Sequence, residues 1–516
     1  MEKKWWVLVT VCTGVFMLLL DITIVNVALP AIEHGFSASL SDLQWVISAY
    51  ALTLAAFLLT AGSVADRSGR RLVFAVGVTC FTVASLFCGL ASGTLFLIIA
   101  RAAQGVGGAI MFATSLALLA EAFRGRDRGV AFGVYGAVTG AAVAVGPVLG
   151  GAITSGLSWR WIFFVNLPIG IFTLAVTVLR VPESKDPRSA RPDYAGFVTF
   201  SLCLGTLVYG LIQSTTSGWG ATDVVATLVA SGALFAAFLL IEVRNQHPML
   251  DLSLLRVPTF DGGLIAAFAI SGSLFSLLTY LVIYLQDVLG FSPFQAGLRF
   301  LPLSMAVFFT AAAAGRATSH VPRKWLIAPG FVLVGVGLLL MRSMTVHSGW
   351  TQLLPGFIVA GVGSGLVNVP LVSTAVGVVH PSRAGMASGI NSTLRQVGIA
   401  TGVAALGTIF ASQLRSTLVQ RLHGTPLEPH TSQIAQAITS GNKPTTGAMP
   451  AALRHAANLA SRQAFINGLD LILLIGAALA FGAVVASFLL VREKDFVVAG
   501  APQSGAHEPA PAMTAV

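Results

Sequence analysis

Apolar stretches long enough to cross a lipid bilayer recur about fourteen times along this chain, and no other feature limits its possible folds so sharply. They run at roughly 6–29, 43–63, 72–91, 95–121, 130–154, 161–179 and 195–213, then at 224–241, 260–285, 296–315, 325–341, 353–375, 386–412 and 464–491. Of the 516 residues 55% are hydrophobic and only 10% charged, with a mean hydropathy of +0.84, which excludes a string of soluble domains. The opening MEKKWW imitates a signal peptide, but the apolar run behind it continues to about Pro30 without a small-residue cleavage site. It reads as a retained first span. Cys12, Cys80, Cys88 and Cys203 all fall inside spans without metal-ligand spacing, so neither disulfides nor a metal site is expected.

Orientation follows from the loops. About two thirds of the 30 Lys and Arg, among them Lys3, Arg67, Arg70, Arg71, Arg126, Lys185, Arg316, Arg323 and Arg492, fall on the side that carries both termini. Both termini are therefore expected in the cytoplasm of a multi-pass protein of the cell membrane. A formal net charge of +10 then reflects topology beside anionic lipid, and no nucleic-acid partner is expected. Residues 413–462, rich in Ser, Thr, Gln and Pro, are expected as a long external loop, and 496–516 as a disordered cytoplasmic tail.

The chain also repeats itself. Residues 104–134 lie over 360–390 without a gap, Gly105, Gly107, Gly129 and Gly133 falling on Gly361, Gly363, Gly385 and Gly389. This shift of eight helices preserves orientation, as parallel repeats about an axis along the membrane normal require. The expected architecture is all-α: an N-terminal six-helix half (1–181), two inserted helices with flanking loops (182–256), and a C-terminal six-helix half (257–495). Repeats of this kind place a substrate between the halves near the bilayer midplane.

Two segments carry conformational chemistry. After the second span comes GSVADRSGRR: Gly62 permits close helix approach, Asp66 can cap or pair at a helix end, and Arg67, Arg70 and Arg71 can bond helix C-terminal carbonyls and lipid headgroups. Far from the midplane, this loop, with Gly69, is expected to govern switching more than binding. In the fifth span Gly136, Gly140, Gly146, Gly150 and Gly151 let a neighbour pack closely, and Pro147 permits a kink.

The spacing G-x-x-x-D-R-x-G-R-R resembles the loop motif of the major facilitator superfamily. RAAQG at 101–105 and GAVTGAAVAVGPVLGG at 136–151 add to that resemblance. LDITIVNVALP, WRWIFFVNLPIG and YLQDVLGFSPFQAGLRFLP are similar to the fourteen-spanner drug:proton antiporters of EmrB/QacA type. The resemblance implies the major facilitator fold, and its fifth-helix motif implies an antiporter that exports rather than an uptake symporter.

Among the polar residues Asp21 stands out. It is the one acid deep in a span, ~13 Å from the far end at 1.5 Å per residue, while Arg101 enters from the same face to ~9 Å, so the two can meet. A charge at the centre of a lone helix costs roughly 2.5–3.5 kcal/mol, which pairing or a wet cavity lowers. A structural ion pair is one reading. The other is proton coupling: no histidine lies in a span, so a proton crossing the bundle needs a carboxylate, and Asp21 is expected to face the central cavity near Arg101. Asn26, Gln104, Asn368, Asn391, Arg395 and Gln396 are the other polar groups at span depth. Arg395 requires water, an acid or an anionic ligand.

The function expected is a proton-driven exporter of amphipathic organic compounds such as antibiotics or antiseptics, working by alternating access as a monomer, without cofactor or metal. A proton-coupled uptake carrier is the alternative. A membrane enzyme ranks third, because the chain shows no Walker A pattern, no H-E-x-x-H and no paired acidic motif on a soluble face.

Overall fold

The computed structural model describes residues 2–123, 125–185, 192–246, 248–318, 320–342, 344–379, 384–431, 434–435 and 451–496. The expected tail 496–516 beyond Phe496 and the middle of the expected loop 413–462 lie outside them. Fourteen helical segments follow one another: α1 (Lys3–Phe36), α2 (Leu40–Ser68), α3 (Arg70–Gly89), α4 (Thr94–Ala122), α5 (Gly125–Gly156), α6 (Trp161–Arg180) and α7 (Tyr194–Ser217). They continue with α8 (Thr222–Arg244), α9 (Pro258–Val288), α10 (Pro293–Ala317), α11 (Lys324–Leu340), α12 (Leu354–Gly377), α13 (Ala384–Leu422) and α14 (Ala451–Leu490). Among the described residues thirteen are long and apolar enough to cross a membrane, and α11 is a shorter apolar helix of 17 residues. The chain is a multi-pass membrane protein.

Local chemistry sets the helix ends. Ser39 and Asp42 form a reciprocal capping box at the start of α2, and Ser292 with Gln295 repeats it at α10, where Pro293 occupies the first turn. Within α6 the helix breaks at Val165, three residues before Pro168, which has no N–H to give the preceding turn. Two π-turns, Ser271–Phe275 and Tyr284–Val288, interrupt α9, and Ser276 Oγ donates to the Ser271 carbonyl across the first.

The segment expected as a long external loop carries helix at both of its ends. α13 continues to Leu422 and α14 already begins at Ala451, so both ends of the 413–462 segment are helical. Leu414, Leu418 and Leu422, four apart, pack with Ala457, Ala460 and Ala464 in one apolar cluster. Gln413, Arg415, Gln420 and Arg421 lower the hydropathy and hide that stripe from a span search.

The packing has two-fold logic. In the first half α2 packs on α4, α3 on α4, α1 on α5 and α3 on α6; eight helices on, α10 packs on α12, α11 on α12, α9 on α13 and α11 on α14. Between the halves α2 meets α13 and α5 meets α10, a pair that the same shift exchanges. The two sides of this seam differ, however. α2 and α13 touch along their length, from Gln44 beside Gly407 to Leu59 beside Gly389, and α7 of the inserted pair packs into the groove they share. α5 and α10 touch closely only toward the face opposite the termini, where Gly151 meets Pro293 and Gly297 meets Pro147. Toward the terminal face they part: Gly140 reaches only ordinary contact with Phe308, and Gly136 and Gly133 have open space. Across the opposite face the halves are bolted by Gln286 Nε2 to the Val27 carbonyl (2.8 Å), His34 with Asp287 (3.3 Å) and the Phe294 N–H to Ser155 Oγ (2.9 Å).

Candidate functional site

Asp21 lies midway along α1 with its side chain wholly buried, 0% exposed. Its Oδ2 accepts a hydrogen bond from Arg101 Nη1 at 2.5 Å, in an ion pair whose cation is 2% exposed. Its Oδ1 accepts two more, from Gln104 Nε2 at 2.8 Å and Asn166 Nδ2 at 3.1 Å. Behind these amides Ser85 Oγ accepts from Gln104 at 2.7 Å and from Asn166 at 3.4 Å. Arg101 also donates to Gln104 Oε1 at 2.6 Å and to the Val46 carbonyl at 3.3 Å, and its guanidinium lies 4.2 Å from the centre of the Tyr50 ring.

Arg101 and Gln104 reach one acid because residues three apart share a helix face. Gly105 brings that face close: a Cβ there would run into the Tyr50 carbonyl, so α4 and α2 can touch only with a bare backbone. Desolvating two charges costs several kcal/mol each, and a short charge-assisted bond reinforced by the Gln104 and Asn166 amides is the arrangement that offsets it, although the Tyr50 hydroxyl beside the pair has no partner among the described residues. Removing one partner of such a pair costs about 3–5 kcal/mol, since the survivor stays buried and uncompensated.

The pair borders the seam. Arg101 and Tyr50 line a cavity of about 20 Å³ together with Asn26, Gln396 and Ile399. A second cavity, about 40 Å³, lies between Thr23, Asn26, Pro147, Phe300, Ser304 and Ser364, so Asn26 touches both. Pockets that hold drug-sized ligands measure roughly 300–1,000 Å³, and neither of these two cavities reaches that size in the described state. The sequence reading had Asp21 facing the cavity. Asp21 instead turns toward α3, α4 and α6 and lines neither space, with Arg101 standing between it and the seam.

The sequence profile described as Major Facilitator Superfamily matches residues 11–403. The chain belongs to that superfamily. It is 34% identical over 474 residues to "Multidrug resistance protein Stp" of Mycobacterium tuberculosis, covering 90% of this chain and 88% of that one. It is 32% identical over 501 residues to "Tetracenomycin C resistance and export protein" of Streptomyces glaucescens, 96% and 93% of the two chains. With "Puromycin resistance protein pur8" of Streptomyces alboniger it shares 36% over 430 residues, 82% and 84%. A solved bacterial homologue of the human lysosomal transporter Spinster, inward-facing and occupied, superposes with a TM-score of 0.63 at 18% identity over 96% and 98% of the two chains, which shows the common fold.

The superfamily's loop motif is assembled as a clasp within the first half. Arg70 Nε donates to Asp66 Oδ1 at 2.8 Å, and Glu121 lies 3.6 Å from Arg70. Glu183 accepts the N–H groups of Arg71 and Leu72 at 3.0 and 3.2 Å, while Arg71 Nη1 donates to the Val181 carbonyl just past α6 at 3.4 Å. Gly69 sits at φ 121° with Glu183 against its open side, a position no residue with a Cβ fills without strain. Arg67 stays exposed. Gly62 does not serve the close approach expected of it: a Cβ there would meet nothing within 4 Å, because α2 and α4 come together nearer the other face. In the superfamily's fifth-helix motif the glycines likewise divide. Gly146 and Gly150 bear on Thr23 and Ile24 of α1 and Gly151 bears on α10, whereas Gly136 has no neighbour in this state.

The remaining polar residues are dispersed. Asn26 donates to the Ile22 carbonyl and accepts from Thr279 at 3.5 Å. Asn368 Oδ1 accepts from Arg395 Nη2 at 2.5 Å, and Asn391 is buried with its Oδ1 unpartnered. Gln396 reaches the smaller cavity. Asn166, Ser85 and Tyr50 were not singled out by the sequence reading. Asn166 stands inside the WRWIFFVNLPIG segment near the start of a span, where nothing in the linear pattern tells that it faces Asp21.

Proposed function

We propose that this chain is a proton-coupled exporter of amphipathic organic compounds in the cell membrane, working as a monomer with the terminal face in the cytoplasm. The observation that carries the reading is the Asp21–Arg101 pair: a carboxylate sealed from solvent, held by three donors, one residue removed from the seam between the halves. The names of the relatives, for resistance to and export of tetracenomycin C, resistance to puromycin and multidrug resistance, support the substrate class.

The chemistry follows from the geometry. A proton on Asp21 cancels the ionic part of its bond to Arg101 and leaves a buried guanidinium without a counter-charge. Swinging toward the seam, with the Tyr50 ring as the surface it slides on, is the inexpensive relief for that cation. Deprotonation draws Arg101 back. A compound seated in the seam and a proton on Asp21 therefore compete through the position of one side chain, the sign that exchange transport requires.

The decisive measurement is accumulation of puromycin in inside-out vesicles carrying the protein, with the interior acidified. Wild type should accumulate the compound and lose this on addition of an uncoupler. Asp21→Asn should insert in the membrane and bind, yet fail to accumulate by at least about tenfold, with Asp21→Glu partly active. Undiminished proton-driven accumulation by Asp21→Asn would return the pair to a structural role, and accumulation that requires the exterior rather than the interior to be acid would favour proton-coupled uptake.

A further inference from the structure

Among the described residues Arg395 is a cation at span depth with no carboxylate partner. Its one side-chain hydrogen bond among the described residues goes to Asn368 Oδ1, and Asn368 is held in turn by Nδ2 donating to the Ser364 carbonyl (2.8 Å) and Ser364 Oγ (3.0 Å). Arg101, at similar depth in the other half, has Asp21; among the described residues no ion pair includes Arg395.

The fold does not require a charge there. The repeat that aligns residue 105 with 361 places Arg395 over Thr139 of α5, whose hydroxyl merely donates to the Tyr135 carbonyl, and Asn368 over Phe112. The same helix position thus does without charge in one half of the molecule. In the other half a guanidinium is aimed by an amide that is itself aimed by a serine.

Its neighbours lie on the seam. Ser364, one turn before Asn368, lines the larger cavity, while Gln396, next to Arg395, and Ile399, one turn beyond it, line the smaller one. Arg395 is partly exposed and stands on the terminal-face side of Gln396 and, by one turn, of Ile399, the direction in which α5 and α10 part.

We propose that Arg395, positioned by Asn368 and Ser364, binds an anionic oxygen group of the transported compound, so that the protein prefers amphipathic organic acids over their uncharged counterparts. Arg395 lines neither cavity itself, but Ser364, which holds the Asn368 that holds Arg395, borders the space walled by Leu274, Leu278 and Phe300, an arrangement that matches a ligand with one anionic head and an apolar body. An inorganic anion would leave those walls unused. This rests on the export reading for the identity of the ligand as cargo, but the contact itself is a binding event that can be measured without transport.

The test uses two fluorescent probes with one ring system, anilinonaphthalene sulfonate and the uncharged phenylnaphthylamine, titrated into the full-length protein in lipid nanodiscs against empty discs. Wild type should prefer the sulfonate. Arg395→Gln should reduce that preference about tenfold or more, Asn368→Ala should reduce it less, and Arg395→Lys should keep most of it. Equal weakening of both probes in Arg395→Gln, no preference in wild type, or binding of neither probe would overturn the inference. Should the sulfonate depend on Arg395 while vesicles fail to pump it, the export reading falls and the anion site stands.

Discussion

Asn166 Nδ2 lies 3.1 Å from Asp21 Oδ1, joining α6 to α1 across 145 positions of sequence. Through that bond the broken start of α6 helps to fix the one acid that the proposed cycle depends on, so the proposal extends to the sixth helix alongside the first and fourth.

Asn166→Ala should therefore weaken the hold on ionised Asp21 by about 1 kcal/mol, the net worth of one hydrogen bond. Uphill accumulation in acid-loaded vesicles should fall several-fold while movement down a gradient is preserved. Asn166→Asp should be far worse, because two ionised carboxylates cannot share one dry site. A variant indistinguishable from wild type in both assays would remove Asn166 from the coupling path.

The close contacts along α5 predict opposite effects at its two ends. Gly151→Val should prevent α5 from meeting Pro293 and Phe294, shifting the protein toward a state open at the face opposite the termini. Gly136→Val meets no neighbour in the described state and should favour it. Crosslinking of cysteines placed at Ser155 and Phe294 reports the difference: less in the Gly151 variant, unchanged or more in the Gly136 variant. The reverse ranking would mean that the α5–α10 contact is not a gate.

At Gly69 a Cβ would combine a left-handed backbone with a collision against Glu183, so Gly69→Ala should cost about 1–3 kcal/mol locally. The strain falls on the clasp of Arg70, Arg71 and Glu183, far from the seam. Turnover should drop with probe affinity almost intact, and Asp66→Asn should behave alike. Stopped-flow binding beside steady transport separates the two, and parallel loss of both would count against a switching role.

Membrane orientation is open to a direct check. With the terminal face in the cytoplasm, a cysteine at Thr345, exposed between α11 and α12, should react with an impermeant maleimide in intact cells. One at Ser253, exposed ahead of α9, should react only after permeabilisation. The inverse labelling would reverse the topology.

Much of this architecture was legible because hydrocarbon is an unforgiving solvent: spans must be apolar and close to a fixed length, and a shift of eight helices in a glycine pattern revealed the paired halves. The Asp21–Arg101 contact was legible for a related reason, since one acid and one base entering from the same face to similar depth have few other partners. What escaped was decided sideways rather than in depth. Linear pattern does not tell which face of α1 meets α3 and α6, so Ser85 and Asn166 were missed and Asp21 was placed on the cavity. Helix lengths beyond the bilayer escaped too, because Leu414, Leu418 and Leu422 are held by contact with α14 and not by lipid. Gly62 shows the converse error: a small residue permits an approach without causing one.

The inserted α7 fills the groove between α2 and α13, while the side of the seam between α5 and α10 has no such cover. Two leaves joined this way have a spine on one flank and, toward the terminal face, a free margin on the other. A compound dissolved in the leaflet on the terminal side thus meets a bound margin on one flank and a loose one on the other. Bilayer-borne cargo would slip in sideways past α5 and α10, without ever passing through bulk water.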